Sequence, residues 1–324
     1  IRRPPRSTQD RSSAASDVYK RQFYYRAFFK PRGIWEKFWE PLVRRKAGLG
    51  RVDLKSSASY FDKAYEFCDI AVIGGGPAGL SAALASAEAG ADVLLVDENP
   101  VLGGSLTYAR FDIEGTLADN RRAQLVAALE PQPSIKVMTD AGCNGWFADN
   151  WLPVIKGNRL YKMRAREVVL ATGAMGQPAT FHNNDLPGIM LGTAAQRLIR
   201  TYGVRPGRRA AVYTNNDEGY GIALDLIDGG TEVAAVIDLL DEISLDERAE
   251  AVASQGVFIH HGHSITSAIA AEGNRHVTGV DAEPLTGGSP VSVACDLLCI
   301  AVGLSLIHIS APTRPRLISY AVFC

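Results

Sequence analysis

The chain has 324 residues, 47% of them hydrophobic, with a formal net charge of −1. That length accommodates two domains and sizeable cores, and so small a net charge offers no electrostatic reason for a nucleic-acid or membrane partner. No apolar run reaches the length of a membrane span, and five cysteines with no C-x-x-C pair fit a reducing, cytoplasmic setting.

Both ends differ from the middle. Residues 1–22 are rich in Arg, Ser and Pro and carry neither a helical nor a strand period. Residues 304–324 change character as abruptly. The pieces S-S-A-A-S-D-V-Y-K-R-Q and L-S-L-I-H-I-S-A-P-T-R resemble translated adapter sequence, so both ends are expected to be non-native tails. The chain starts at Ile1 rather than Met and is expected to be a fragment. Residues 23–67 form a lead-in and linker. Trp35, Phe38, Trp39 and Leu42 recur at three- and four-residue steps, which predicts an amphipathic helix interrupted by Pro31 and Pro41. A membrane-surface helix or nucleic-acid patch is one reading of this aromatic and basic stretch; a docking segment fits the broken helix better. Residues 54–67 read as linker.

The centre of the sequence is residues 68–105. An apolar strand over 70–73 runs into Gly74-Gly75-Gly76-Pro77-Ala78-Gly79; an Ala-rich helix follows and stops at Gly90; a second apolar strand, 93–96, ends on Asp97. This is the βαβ dinucleotide-binding pattern, complete and in order. Gly74 suits the tight turn, Gly76 brings a pyrophosphate close to backbone, and Gly79 lets the helix lie on the sheet. The helix N-terminus favours phosphate charge. Asp97 suits a ribose diol and would repel a 2′-phosphate, against NADP. Beyond Glu98 and Asn99, the pair Gly103-Gly104 before Ser105 permits close backbone approach to a cofactor.

Further on, 116–129 reads as helix, and 135–138, 145–147, 151–156 and 159–165 as short strands. A buried strand over 168–170 ends in Ala171-Thr172-Gly173. F-H-N-N-D-L-P-G-I-M-L, residues 181–191, is a turn with His182 as a loop side chain, and 193–202 a helix. A second βαβ unit follows, with a strand at 209–213, a helix at 221–227 and a strand at 232–237 ending on Asp238. Its glycine pattern has failed: Thr214 and Asn216 stand at the first two glycine positions, Gly219 remains, and Asp217 and Glu218 bring two negative charges to the phosphate position. One bound dinucleotide is therefore expected, not two. His260, His261 and His263 lack a further metal ligand nearby and read as strand-end residues, and no metal site is expected. Strands at 276–282 and 291–301, with Cys295 and Cys299 as core residues, are expected to return to the first domain. The expected fold class is thus α/β: a Rossmann-like FAD/NAD(P)-binding domain (68–205 and 276–303) with a second Rossmann-like domain (206–275) inserted. No Ser-His-Asp or Cys-His set is visible, and no catalytic residue is assigned.

Four pieces resemble the alpha subunit of heterotetrameric sarcosine oxidase, within the two-dinucleotide-domain flavoproteins. They are W-E-K-F-W-E-P-L-V-R-R-K-A-G-L-G, C-D-I-A-V-I-G-G-G-P-A-G-L, V-D-E-N-P-V-L-G-G-S and F-H-N-N-D-L-P-G-I-M-L, and the likeness spans about residues 23–303. The resemblance implies a complex with beta, gamma and delta subunits that oxidises sarcosine to glycine, makes hydrogen peroxide and passes the one-carbon unit to tetrahydrofolate. It implies amine oxidation at flavins of the beta subunit and the alpha/beta interface, and NAD in the first dinucleotide site. Carried over by motif, the NAD contacts are Ala78, Asp97, Glu98, Asn99, Ser105, Cys143 and Ala301; Asn99 and Cys143 differ in type from the family's residues. The resemblance also implies that Ala171-Thr172-Gly173 approaches the cofactor. The residues alone leave NAD and FAD both open in the first site, and the likeness favours NAD. The competing readings are a self-contained FAD- and NADH-dependent reductase, which would need a second intact glycine motif or a redox Cys pair, and a ligand-free scaffold.

Overall fold

The computed structural model describes residues 33–48, 55, 60–111, 115–241, 247–273 and 275–306. The chain divides into two compact units, Ile1–Tyr60 and Phe61–Cys324. In the first, a π-helical turn, Trp35–Trp39, runs into α1 (Glu40–Lys46). Pro41 stands in the first turn of α1, where its missing N–H costs nothing, so it begins a helical piece. None of these helical residues is buried. The tail readings over 1–22 and 307–324 lie outside the described residues.

The second unit opens with β1 (Asp62–Ile73), α2 (Pro77–Glu88) and β2 (Val93–Val96). Leu80, Ala83 and Ala87 of α2 are buried, a spacing that keeps one helical face on the sheet. Gly90, at φ +86°, ends the helix in the left-handed conformation. Next come α3 (Ala118–Ala127), β3 (Ile135–Met138), β4 (Ala141–Cys143), β5 (Trp151–Lys156) and β6 (Arg159–Leu170). The first sheet has the order β3-β2-β1-β6-β5-β4, parallel from β3 to β6 and antiparallel beyond. Successive residues of the central strands alternate between two cores. Val72, Val93 and Leu95 meet α2 and α3, while Ala71, Ile73, Leu94 and Val96 meet Leu152, Val154 and Met163.

Residues 62–67 are strand, not linker: β1 pairs with β6 from Asp62↔Arg159 onward, aided by the Arg159–Asp62 ion pair at 2.6 Å and Lys162 over the Tyr65 ring at 5.2 Å. These surface contacts leave no apolar run to read. The short strand expected at 145–147 is instead β4, four residues earlier in the chain.

The chain then crosses through β7 (Ala174–Gly176) to β8 (Ile189–Leu191), α4 (Gly192–Arg200), β9 (Arg209–Thr214), α5 (Glu218–Asp228), β10 (Glu232–Asp238), α6 (Glu247–Ser254) and β11 (Phe258–His260). An antiparallel sheet of β12 (His263–Ala270), β13 (Val277–Pro284) and β14 (Val291–Ala294) follows, then β15 (Leu297–Ala301) and β16 (Leu304–Leu306). The second sheet is wholly parallel, in the order β11-β10-β9-β15-β8.

The strands expected to return to the first domain therefore lie elsewhere, β13 and β14 in the antiparallel sheet and β15 in the second sheet, between β9 and β8. The apolar run at 291–301 is two strands. Asp296 breaks it by accepting hydrogen bonds from the Arg208 and Arg209 N–H groups at 3.0 and 2.9 Å, which steers β15 alongside β9. All of β15 is buried, Leu297 and Cys299 toward the helices and Leu298 and Ile300 toward the antiparallel sheet. Residues 304–306, expected to begin a tail, pair antiparallel with β7. Among the described residues, no helix is long and apolar enough to cross a membrane.

Candidate functional site

The glycines of the first turn divide by what holds them. Gly74 has φ +109°, and a Cβ on it would fall on the Ala171 carbonyl; a Cβ on Gly79 would fall on the Gly74 carbonyl. A Cβ on Gly75 would stand 2.5 Å from Leu102 and 2.9 Å from the Asp97 carboxylate. Packing alone thus requires these three. Gly76 is different. Its φ of −77° and ψ of −174° suit any residue, and the nearest atom to an added Cβ is Gly104 Cα at 3.7 Å, an ordinary contact. Nothing in the protein demands glycine there, and the open side of Gly76 faces a cavity. Gly104 closes the arrangement from across the turn: its own Cβ would lie 2.7 Å from Gly76 Cα.

Gly76 is also the N-cap of α2, which has no side-chain cap and carries Pro in its first turn. The N–H of Ala78, which lines the cavity, is left to a ligand or solvent, at the positive end of the helix dipole. Asp97, 6% exposed, fastens the turn from the end of β2. Its Oδ2 accepts from the Gly75 N–H, and its Oδ1 accepts from Asn99 N at 2.7 Å and Asn99 Nδ2 at 2.9 Å. A carboxylate has about four lone-pair sites, so capacity remains for a hydroxyl donor.

The cavity measures about 1200 Å³, beyond the usual range of about 300–1,000 Å³ for a small-molecule site. It lies outside the carboxyl ends of β1 and β2, where the first sheet reverses its strand order, the position expected for ligands of parallel sheets. Of the residues singled out from sequence, Gly74, Gly76, Pro77, Ala78, Asp97, Glu98, Asn99, Gly104, Ser105, Cys143, Ala171, Thr172 and Gly173 line it. Gly79, Gly103 and Ala301 do not. Gly79 is helix packing; Gly103 donates its N–H to Gly75 O at 2.8 Å; the Ala301 carbonyl is taken by Thr214 Oγ1 at 3.1 Å and Asn216 Nδ2 at 3.2 Å. Sequence reading missed Arg110, Trp146, Gln196, Arg197 and Arg248, which also line the cavity. They stand in segments without a motif: Gln196, Arg197 and Arg248 come from helices of the second sheet, and Arg110 and Trp146 from loops of the first.

The second turn is built from the same elements and is filled by its own side chains. Asn216 Oδ1 accepts the Glu218 N–H at 3.0 Å, so the start of α5 is already capped. A Cβ on Gly219 would strike the Thr214 side chain, so here the third glycine serves packing alone. Asp238, 2% exposed, accepts from the Tyr220 hydroxyl and, at 3.0 Å, from Leu240 N. Asp217 and Glu218 form part of the wall of the same large cavity, and burial holds the Glu218 carboxyl above the ordinary range.

The cysteines of the described residues, Cys68, Cys143, Cys295 and Cys299, are free thiols. Burial pushes Cys68 and Cys295 up to about 11 and Cys299 to about 12, which keeps them protonated and poor nucleophiles. His260, His261 and His263 are half-buried at the end of β11 and the start of β12. Among the described residues, no group of three or more His, Cys, Asp or Glu could hold a metal ion.

The chain is 32% identical to sarcosine oxidase subunit alpha of Rhizobium meliloti over 303 residues, 89% of this chain and 30% of that protein. It is 33% identical to sarcosine oxidase subunit alpha of Corynebacterium sp. (strain P-1), over 84% of this chain and 30% of that one. It thus spans about a third of the length of these relatives. Among solved structures, thioredoxin reductase of T. acidophilum shares the fold, with a TM-score of 0.57 at 17% identity over 74% of this chain and 78% of that one. Residues 68–309 match the family model described as pyridine nucleotide-disulphide oxidoreductase, and the chain belongs to that family of oxidoreductases.

Proposed function

We propose that this chain is the NAD-binding portion of an alpha-type subunit in a sarcosine oxidase complex. The observation that carries the reading is Gly76. It is glycine where neither backbone conformation nor packing requires one, at the uncapped start of a helix, beside a large cavity. A diphosphate close to the backbone accounts for all three. The adenosine ribose then reaches Asp97, with Glu98, Asn99 and Ser105 around it. The chain's residues bind and orient the dinucleotide, and Asp97 discriminates against a 2′-phosphate by charge.

The self-filled second turn supports one dinucleotide per chain rather than the FAD-plus-NADH pair of a self-contained reductase. The raised pKa values of Cys68, Cys295 and Cys299 leave no thiolate for disulfide chemistry in these positions. The likeness to sarcosine oxidase alpha subunits supports the complex, with beta, gamma and delta partners, flavins outside this chain, and one-carbon transfer to tetrahydrofolate in the whole assembly. The test is identification of the nucleotide released on heat denaturation of purified protein. NAD is the expected result; a yellow protein releasing FAD would overturn the NAD assignment, and protein with no affinity for either would establish the scaffold reading.

A further inference from the structure

The same cavity has a second polar corner, with incomplete hydrogen bonding. Gln196, on α4, is 2% exposed and forms part of the cavity wall. Its Nε2 donates to Asp225 Oδ2 at 2.7 Å. That bond sets the amide's orientation, because the reverse would place Oε1 against a carboxylate. Gln196 Oε1 is then a buried acceptor with no donor. Arg110 is held on the other oxygen of the same carboxylate, Nη1 to Asp225 Oδ1 at 3.3 Å, and also by Asp228. Its Nε–H is a buried donor with no acceptor. Asp225 and Arg200 complete a network between the loop after the first glycine turn and the helices of the second sheet. That network uses neither Gln196 Oε1 nor Arg110 Nε.

A buried polar atom without a partner costs about 1–3 kcal/mol, so two in side chains that line one cavity call for an explanation. An acceptor and a donor anchored on a single carboxylate complement an amide edge, which presents an N–H beside a C=O. The adjacent residues suit a planar heterocycle. Phe111, next to Arg110, lines the cavity with Arg248 5.1 Å over its ring, and Tyr108 lines it with Arg197 at 4.4 Å.

We propose that Gln196 and Arg110 receive the amide edge at the far end of the dinucleotide held by the first glycine turn. This rests on the placement of the pyrophosphate at Gly76. The chemistry is common to the carboxamide of nicotinamide and to the N–H/C=O edge of a flavin ring, and the test separates them. NAD is compared with its 3-acetylpyridine analogue, which has a methyl group in place of the carboxamide nitrogen, on the wild-type chain and on Gln196→Leu. Wild type is expected to prefer NAD by about tenfold, one hydrogen bond's worth, and Gln196→Leu to bind the two alike. If the edge is a flavin's, Gln196→Leu weakens FAD and leaves NAD unchanged. Arg110→Lys, which removes the Nε donor but keeps a cation for Asp228, is the second variant and is expected to weaken NAD and the analogue alike, because both keep the carbonyl that Nε would bond; thermal denaturation verifies that both variants fold. A preference for NAD that survives in Gln196→Leu, or unchanged affinity for both ligands in Arg110→Lys, with FAD unaffected in either case, overturns the proposal. Gly76→Val separates the two levels: if it leaves binding intact, the placement of the dinucleotide itself is wrong, whereas if it abolishes binding while Gln196→Leu changes nothing, this inference alone fails.

Discussion

The two strand–turn–helix units of this chain are controls for each other. Each has a buried parallel strand, a turn, a helix and an acid at the end of the next strand, Asp97 in one and Asp238 in the other. In the first, an open glycine and an uncapped helix start leave room and N–H donors for an anion. In the second, Asn216 caps the helix, Thr214 packs on Gly219, and Tyr220 and Leu240 occupy the acid. On the proposed reading, the same topology is a binding site in one case and a scaffold in the other. The difference rests on a handful of side chains at one turn, because the second unit keeps the same sheet and helix with only Gly219, the glycine that packs helix on strand.

The sharpest way to break this comparison is to confuse the two duties of glycine. Gly74→Ala should be destabilised by about 3 kcal/mol or more, since it combines a left-handed backbone with a collision against the Ala171 carbonyl; urea denaturation measures this. Gly76→Val should cost at most about 1 kcal/mol, the preference at an N-cap, yet lower NAD affinity by more than about 100-fold by filling the phosphate's space. A Gly76→Val protein that unfolds as readily as Gly74→Ala would mean that Gly76, too, serves packing.

Asp97→Ala should come next. It leaves the Gly75 N–H buried without its acceptor, costing about 1–3 kcal/mol of stability, and it removes the proposed ribose acceptor. Stability and NAD affinity should therefore fall together, and discrimination against NADP should weaken; an effect on affinity alone would mean that the carboxylate does not hold the turn.

The smallest effect is expected at the second turn. Burial raises the Glu218 carboxyl above its ordinary 4.5, so the native state favours the protonated form. Its contribution to stability is complete below about pH 4.5 and is lost as pH rises through the raised folded value. Glu218→Gln, which never ionises, should flatten that part of the stability–pH curve, as followed by denaturant midpoints from pH 4 to 7. An unchanged slope would mean that the carboxyl is solvated and free to charge.

The first unit was legible in sequence because its signals are local. Val93–Val96 is a continuous apolar run buried on both faces, and Gly90 marks the helix end by conformational need. The failed second turn was equally legible, since Thr214 and Asn216 stand at fixed offsets from their strand. What escaped the sequence is set by pairing across long separations. The membership of β15 in the second sheet depends on Asp296 meeting Arg208 and Arg209, 88 and 87 residues away in the chain. The exposed half of β1 mixes charged and aromatic residues and finds its partner in β6. Gln196 and Arg110 carry no motif, and a single buried carboxylate on a third element, Asp225, joins them.

The central claim is one dinucleotide per chain, held by the first turn. Calorimetric titration with NAD, NADH and FAD tests it most directly. The account predicts saturation at one equivalent, abolished by Gly76→Val and untouched by substitution of Asp238. A second equivalent that disappears with Asp238 but survives Gly76→Val would contradict it.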